Sequence, residues 1–102
     1  MLTFQKDDLD ALLEQKGDQL LFFYTPMCGG CAKAREMIEL VLDAHPKVSI
    51  AEMDLNYIPE YARIFEIESV PALAAVKDGE IVAKEYEINN VIDALEFITK
   101  FA

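Results

Sequence analysis

Apolar and polar positions along this chain alternate between two periods, and the switches between them predict its elements. Leu2-Thr3-Phe4 reads as a short extended piece. From Lys6 to Lys16, Leu9, Leu12 and Leu13 recur at helical spacing among acids, so this stretch is an amphipathic helix. Gly17-Asp18 is expected to close it. Gln19 to Thr25 is apolar on both faces, as a central strand would be, and Pro26 ends it. Cys31, Ala34, Ile38, Val41 and His45 then share one face of a helix that Pro46 stops. Val48 to Leu55 reads as the next strand. Tyr57 to Phe65 reads as a short helix with Ala62 and Phe65 inward. Ala72 to Val76 and Ile81 to Tyr86 are strands around the turn Lys77-Asp78-Gly79-Glu80, where Asp-Gly supplies the positive φ of a hairpin. Asn89 or Asn90 caps a last helix with Val91, Ala94, Leu95 and Ile98 on one face.

The element order is β-α-β-α-β-α-β-β-α. Alternating strands and helices imply a parallel part, and the late hairpin adds an antiparallel part. An α/β domain follows, with a mixed sheet and helices on both faces. The 102 residues, 53% hydrophobic, suit one domain spanning 1–102, with no repeat or linker inside it. The net charge of −10 argues against nucleic acid, because phosphate contacts need clustered Lys and Arg. The acidity reads first as solubility, and second as steering toward a basic partner surface. No apolar run approaches the roughly 20 residues that a membrane helix needs, so no membrane association is expected. The N-terminus lacks the basic and apolar regions of a secretory leader, which makes a reducing cytoplasm the expected compartment.

Candidate chemistry concentrates in Tyr24-Thr25-Pro26-Met27-Cys28-Gly29-Gly30-Cys31. The only two cysteines lie there, between a buried strand and a helix. Two cysteines do not make a disulfide framework, so the pair is not there for stability. At a helix N-terminus the first N–H groups lack partners and the dipole favours negative charge. A thiolate placed there is stabilised, which lowers the thiol pKa. Cys28 is expected at the mouth of the helix, accessible, and Cys31 one turn inside, half-buried. One attacking and one resolving thiol suffice for dithiol–disulfide exchange. Gly29 and Gly30 carry no side chains and let a substrate backbone come close. Met27 reads as a surface contact beside Cys28, and Met37 and Met53 as core.

Over essentially its whole length the chain resembles the thioredoxin family. Cys28-Gly29-Gly30-Cys31 sits between strand and helix, and Met53-Asp54 ends the next strand. Val70-Pro71-Ala72-Leu73 stands where the family has an apolar-Pro-x-apolar segment, and Lys77-Asp78-Gly79-Glu80 matches its hairpin turn. The resemblance implies a thioredoxin fold, a mixed five-stranded sheet flanked by four helices. It implies a thiol–disulfide oxidoreductase that reduces protein disulfides and serves redox homeostasis, with no cofactor beyond its own disulfide. Cys28 would be the nucleophile and Cys31 the resolving thiol. Pro71, with a cis peptide bond, would lie against the pair, and the Val70 backbone would bind an extended substrate segment. Partners would be disulfide-containing proteins and a reductase or low-molecular-weight thiol that recharges the pair.

The departures from the family pattern are specific. Met27 and Gly30 replace a common Trp and Pro, and Tyr24 replaces a Trp. Tyr24 reads as core packing with its hydroxyl at the surface. A buried Asp that assists proton transfer falls at Phe22, which takes no proton. Glu52 is the nearest acid on the neighbouring strand, although a solvated, edge-facing Glu is the plainer reading. Glu36 replaces a kink proline, so the long helix should run straighter. Glu87 replaces a glycine on the substrate-facing surface and should alter which partners dock. Four other readings stay open. Met27-Cys28-Gly29-Gly30-Cys31-Ala32 also resembles the Cu(I) loop of small copper carriers, where two soft thiolates bind the metal. Zinc would need four ligands, with only His45 left to add, and His45 reads better as a helix C-terminal residue. An iron–sulfur cluster bridged between two chains needs only a few thiolates. A non-catalytic adaptor would keep the fold and use its groove to hold a partner.

Overall fold

The computed structural model describes residues 1–102. Its strands are β1 (Leu2–Thr3), β2 (Gln19–Tyr24), β3 (Ile50–Asp54), β4 (Ala72–Lys77) and β5 (Glu80–Glu85). Its helices are α1 (Lys6–Glu14), α2 (Gly29–Ala44), α3 (Pro59–Ile64) and α4 (Val91–Phe101). The strands form one mixed sheet in the order β1-β3-β2-β4-β5. β1, β3 and β2 run parallel, whereas β4 is antiparallel to β2 and β5 to β4. β2 is therefore central, as its two apolar faces predict.

Alternation along the strands splits the core in two. Leu20 and Phe22 of β2, with Leu73 and Ala75 of β4, face α2 and α4, where Ala34, Ile38, Val41, Ala94, Phe97 and Ile98 meet them. Leu21 and Phe23, with Ala72, Ala74 and Val76, face the other way, toward Leu9 of α1 and Phe65 beside α3. No helix is long and apolar enough to cross a membrane.

Several boundaries shift for local reasons. α1 ends at Glu14, and Lys16 takes the left-handed conformation (φ 53°) in place of the expected glycine closure. Its N–H bonds the Leu13 carbonyl and the Gly17 N–H bonds the Leu12 carbonyl, which satisfies the last turn. β3 stops at Asp54, short of Leu55, because the Asp54 carboxylate accepts the Asn56 N–H at 2.9 Å and starts a 3-10 turn over Leu55–Tyr57. α3 begins at Pro59, whose missing N–H costs nothing in a first helical turn. Phe65 is buried as expected, whereas Ala62 is half-buried. In α4, Asn90 accepts the Asp93 N–H at 2.9 Å. Its buried stripe is Ala94, Phe97 and Ile98, and the expected Val91 is exposed.

The hairpin turns through Asp78 and Gly79, both at positive φ. One feature of it is invisible in the sequence pattern. Ala75 pairs with Ala83, but Val76 pairs with Ile81, so Val82 is an extra residue, a β-bulge. The bulge inverts the faces of the rest of β5, leaving Ala83 against the α2–α4 core and Tyr86 against the α1–α3 core.

Candidate active site

β2 delivers the chain to the C-terminal end of the central strand at Tyr24, and α2 carries it away from Gly29. Thr25 to Cys28 turn between them, closed by a bond from the Cys28 N–H to the Thr25 carbonyl at 3.3 Å. Cys28 is the N-cap of α2, with φ −97° and ψ 108°. Its sulfur accepts the N–H of Cys31 at 3.1 Å, as a capping oxygen would. The two cysteines are joined as a disulfide, with Cα atoms 5.3 Å apart, inside the ordinary range.

α2 starts two residues earlier than the spacing of Cys31 suggests. Cys31 therefore sits fully within the first turn and is turned onto the sheet with Ala34, Ile38 and Val41. It is 3% exposed, not half-buried as the sequence implies. Cys28 is the more accessible sulfur, as expected.

The other predicted residues gather around Cys28. The Val70–Pro71 peptide bond is cis. The Val70 carbonyl oxygen lies 3.7 Å from the Cys28 sulfur. With the disulfide closed that sulfur carries no hydrogen, so this is a contact; a reduced thiol has the geometry to donate along it. The two main-chain groups pull in opposite senses: the Cys31 N–H favours a thiolate, and the Val70 carbonyl favours a thiol. Val70 and Pro71 are half-buried, whereas Met27 is 95% exposed and Gly29 and Gly30 are exposed. A Cβ at Gly30 would meet only Pro71 Cδ, at 3.7 Å, and one at Gly29 would meet nothing within 4 Å. The surface beside the pair is therefore open at both glycines.

Behind the pair the arrangement differs from the sequence reading. Phe22 is fully buried and pairs in register with Glu52. Glu52 is neither solvated nor at an edge, since β3 lies between β1 and β2. It forms an ion pair with Arg35 of α2, and its side chain is 17% exposed. The Arg35 guanidinium stacks 4.6 Å from the Tyr24 ring centre and 5.6 Å from that of Phe22. Tyr24 and Phe22 in turn stack on each other, 6.1 Å apart. Sequence reasoning missed Arg35. The available signal was its position one helical turn after Cys31, on the rim of the buried face. Glu36 is exposed on α2, which runs without a break, and Glu87 is exposed beyond β5.

His45 caps the C-terminal end of α2, at the opposite end from the cysteines, so it does not join them as a ligand. No group of three or more His, Cys, Asp or Glu side chains converges elsewhere.

A family model described as Thioredoxin matches residues 1–100. The thioredoxin-like protein YusE of Bacillus subtilis is 34% identical over 98 residues, spanning 96% of this chain and 91% of its own length. A thioredoxin of Staphylococcus aureus is 35% identical over 78 residues, covering 76% of this chain and 74% of itself. Among solved structures, Fasciola hepatica thioredoxin superposes with a TM-score of 0.81 at 23% identity, over 100% of both chains. Mitochondrial thioredoxin 3 of Saccharomyces cerevisiae, in its oxidised form, gives 0.80 at 21% identity, over 98% of this chain and 94% of that one. These last two likenesses concern the fold, a five-stranded mixed sheet with four helices.

Proposed function

The chain belongs to the thioredoxin family, and from that premise we propose that it reduces protein disulfides through the Cys28–Cys31 couple. Membership and the close cysteine pair support thiol–disulfide oxidoreductase activity in general. One observation carries the finer reading: the accessible sulfur caps the helix and accepts a main-chain N–H, while the second sulfur lies buried behind it.

In the reduced protein, the Cys28 thiolate attacks one sulfur of a substrate disulfide. The substrate S–S bond breaks, a mixed disulfide forms, and the first substrate sulfur leaves as a thiolate that takes up a proton. Cys31, once deprotonated, attacks the Cys28 sulfur. The mixed disulfide breaks, the second substrate thiol departs, and the Cys28–Cys31 bond closes. Two electrons have moved from the dithiol to the substrate. Phe22 offers no proton acceptor for Cys31, so water or another carboxylate takes that proton, Glu52 being the nearest acid on the neighbouring strand. Val70 and Pro71 form one wall of the substrate groove, and Met27, Gly29 and Gly30 its open side. A reductase or low-molecular-weight thiol recharges the pair, no cofactor takes part, and residues 1–102 act as one domain in a cytoplasmic redox-homeostasis role.

The test is the reduction potential of the pair in metal-free thiol buffers, together with two variants. A value near the roughly −270 mV of a thioredoxin supports the reductase; about −120 to −180 mV points instead to an oxidant or isomerase. Cys28→Ser should abolish exchange, and Cys31→Ser should accumulate mixed disulfides. Rapid clean turnover by either variant would refute its assignment. A pair that never closes internally would favour the Cu(I) reading.

A further inference from the structure

The segment that presents Val70 has little main-chain support of its own. The end of α3 is closed by the Glu66 N–H on the Arg63 carbonyl, 3.1 Å, and the Ile67 N–H on the Ala62 carbonyl, 2.9 Å. After Ile67 that support stops. The N–H groups of Glu68, Ser69 and Val70 meet no main-chain carbonyl, and Pro71 has none to give.

Two side chains of β5 and its extension fill the gap. The Glu68 N–H donates to the Tyr86 hydroxyl at 3.2 Å. That hydroxyl donates to the Glu66 carbonyl at 3.3 Å. Lys84 Nζ donates to the Phe65 and Glu66 carbonyls at 3.0 and 2.9 Å. The bulge at Val82 makes this possible, because it turns Lys84 and Tyr86 toward α3 and not toward α2. Tyr86 and Val70 are both half-buried against the same core cluster.

We propose that Tyr86, assisted by Lys84, is a positioning residue that holds the Val70 wall of the groove at its place beside Cys28. The inference rests on the reductase reading above. A protein substrate that lies along Val70 needs that backbone held still before docking, since ordering it on binding would weaken affinity. A small disulfide needs only the sulfur.

Tyr86→Phe keeps the half-buried ring and removes both hydrogen bonds. The experiment follows three readouts: kcat and KM for insulin with dithiothreitol as electron source, the rate with a small aromatic disulfide, and amide hydrogen exchange across residues 66–70. Losing one or two hydrogen bonds should raise KM for insulin about 3- to 10-fold and speed exchange at Glu68 by about as much. The insulin kcat and the small-disulfide rate should stay within about twofold of wild type. Lys84→Met should act in the same direction. An unchanged KM overturns the proposal, with or without faster exchange. So does an equal loss on both substrates, which would mean damage at the sulfur itself. Wild-type protein unable to reduce insulin would refute the reductase reading instead. Exchange at Glu68 would then decide the clamp alone, with an unaltered rate overturning it.

Discussion

The ion pair between Arg35 and Glu52 allows a stability test whose size separates two physical regimes. Exposed pairs couple by about 0.2–1 kcal/mol, whereas breaking a buried pair costs about 3–5 kcal/mol. This pair lies between, with side chains 32% and 17% exposed. For scale, two unit charges about 4 Å apart at an effective dielectric constant of about 20 attract by about 4 kcal/mol. Partial desolvation of both charges cancels a large part of that. We expect a coupling energy of about 1.5 kcal/mol from a double-mutant cycle of Glu52→Gln and Arg35→Met. Arg35→Met should be the costlier single change. It also removes the stacking on Tyr24 and Phe22, each contact worth about 0.5–1 kcal/mol. It also leaves the Glu52 carboxylate without its partner in a largely covered position.

The assay is urea unfolding of the disulfide form at neutral pH for the four members of the cycle. Glu52→Gln alone should cost about 1.5 kcal/mol there, equivalent to a Tm lower by about 6–12 °C at about 4–8 °C per kcal/mol for a chain of this size. High salt should weaken the coupling only slightly, because screening acts mainly on exposed charges. A coupling below about 0.5 kcal/mol would place the pair among surface pairs. It would refute the reasoning that partial burial lifts the Arg35–Glu52 coupling above that of an exposed pair.

Two further outcomes are expected. Gly79→Ala should destabilise the fold by about 2 kcal/mol in urea unfolding, because φ is +78° and a Cβ would meet the Leu13 carbonyl oxygen at 2.9 Å and Lys16 Cα at 3.1 Å, both backbone; a change under about 0.5 kcal/mol would contradict that packing. Tyr61, hydrogen-bonded to Asp10, has its phenol pushed up from 10.0 to about 12, chiefly by burial and then by the bond to Asp10. The fold thus favours the protonated phenol. Its stabilisation is whole below pH 10 and is lost as pH rises toward about 12, so wild type should lose more stability than Tyr61→Phe over that interval. Parallel stability–pH curves for the two proteins would rule this out.

Residues that act through a local rule could be read from the sequence. Leu20 to Phe23 are apolar at every position, and a strand of that kind must lie between two covered faces. The Cys28–Cys31 pair, the Val70-Pro71 segment and the Asp78-Gly79 turn each carry their chemistry within a few residues, and each stands where the pattern placed it. Tertiary partners were harder to read. Glu52 looked like a solvated acid because nothing in its own strand names Arg35, which is 17 residues away on α2. The start of α2 was missed because two glycines, poor helix formers, occupy its first turn, and the capping sulfur at Cys28 outweighs their low propensity. The bulge at Val82 could not be read: only the fold shows that Ile81 and Tyr86 face the same core across an odd separation, which an unbroken period of two forbids.

The polar groups facing the Cys28 sulfur are the Cys31 N–H and the Val70 carbonyl, and both belong to the main chain. This explains how the motif tolerates Met27 and Gly30 where the family commonly has Trp and Pro. Changing those side chains alters access to the sulfur without removing either polar neighbour. What fixes the two main-chain groups lies elsewhere. Burial of Cys31 and Ala34 pins the first turn of α2 to the sheet, which aims the N–H. The loop after α3, tied at Phe65, Glu66 and Glu68 by Tyr86 and Lys84, carries the carbonyl. Substitutions that unpin the first turn of α2, as at Ala34, should therefore disturb the environment of the sulfur more than equally drastic changes at the exposed residues that flank it. The chemistry of this site is thus distributed over the ends of β2, α2, β4 and β5, and the Cys-Gly-Gly-Cys motif by itself does not determine it.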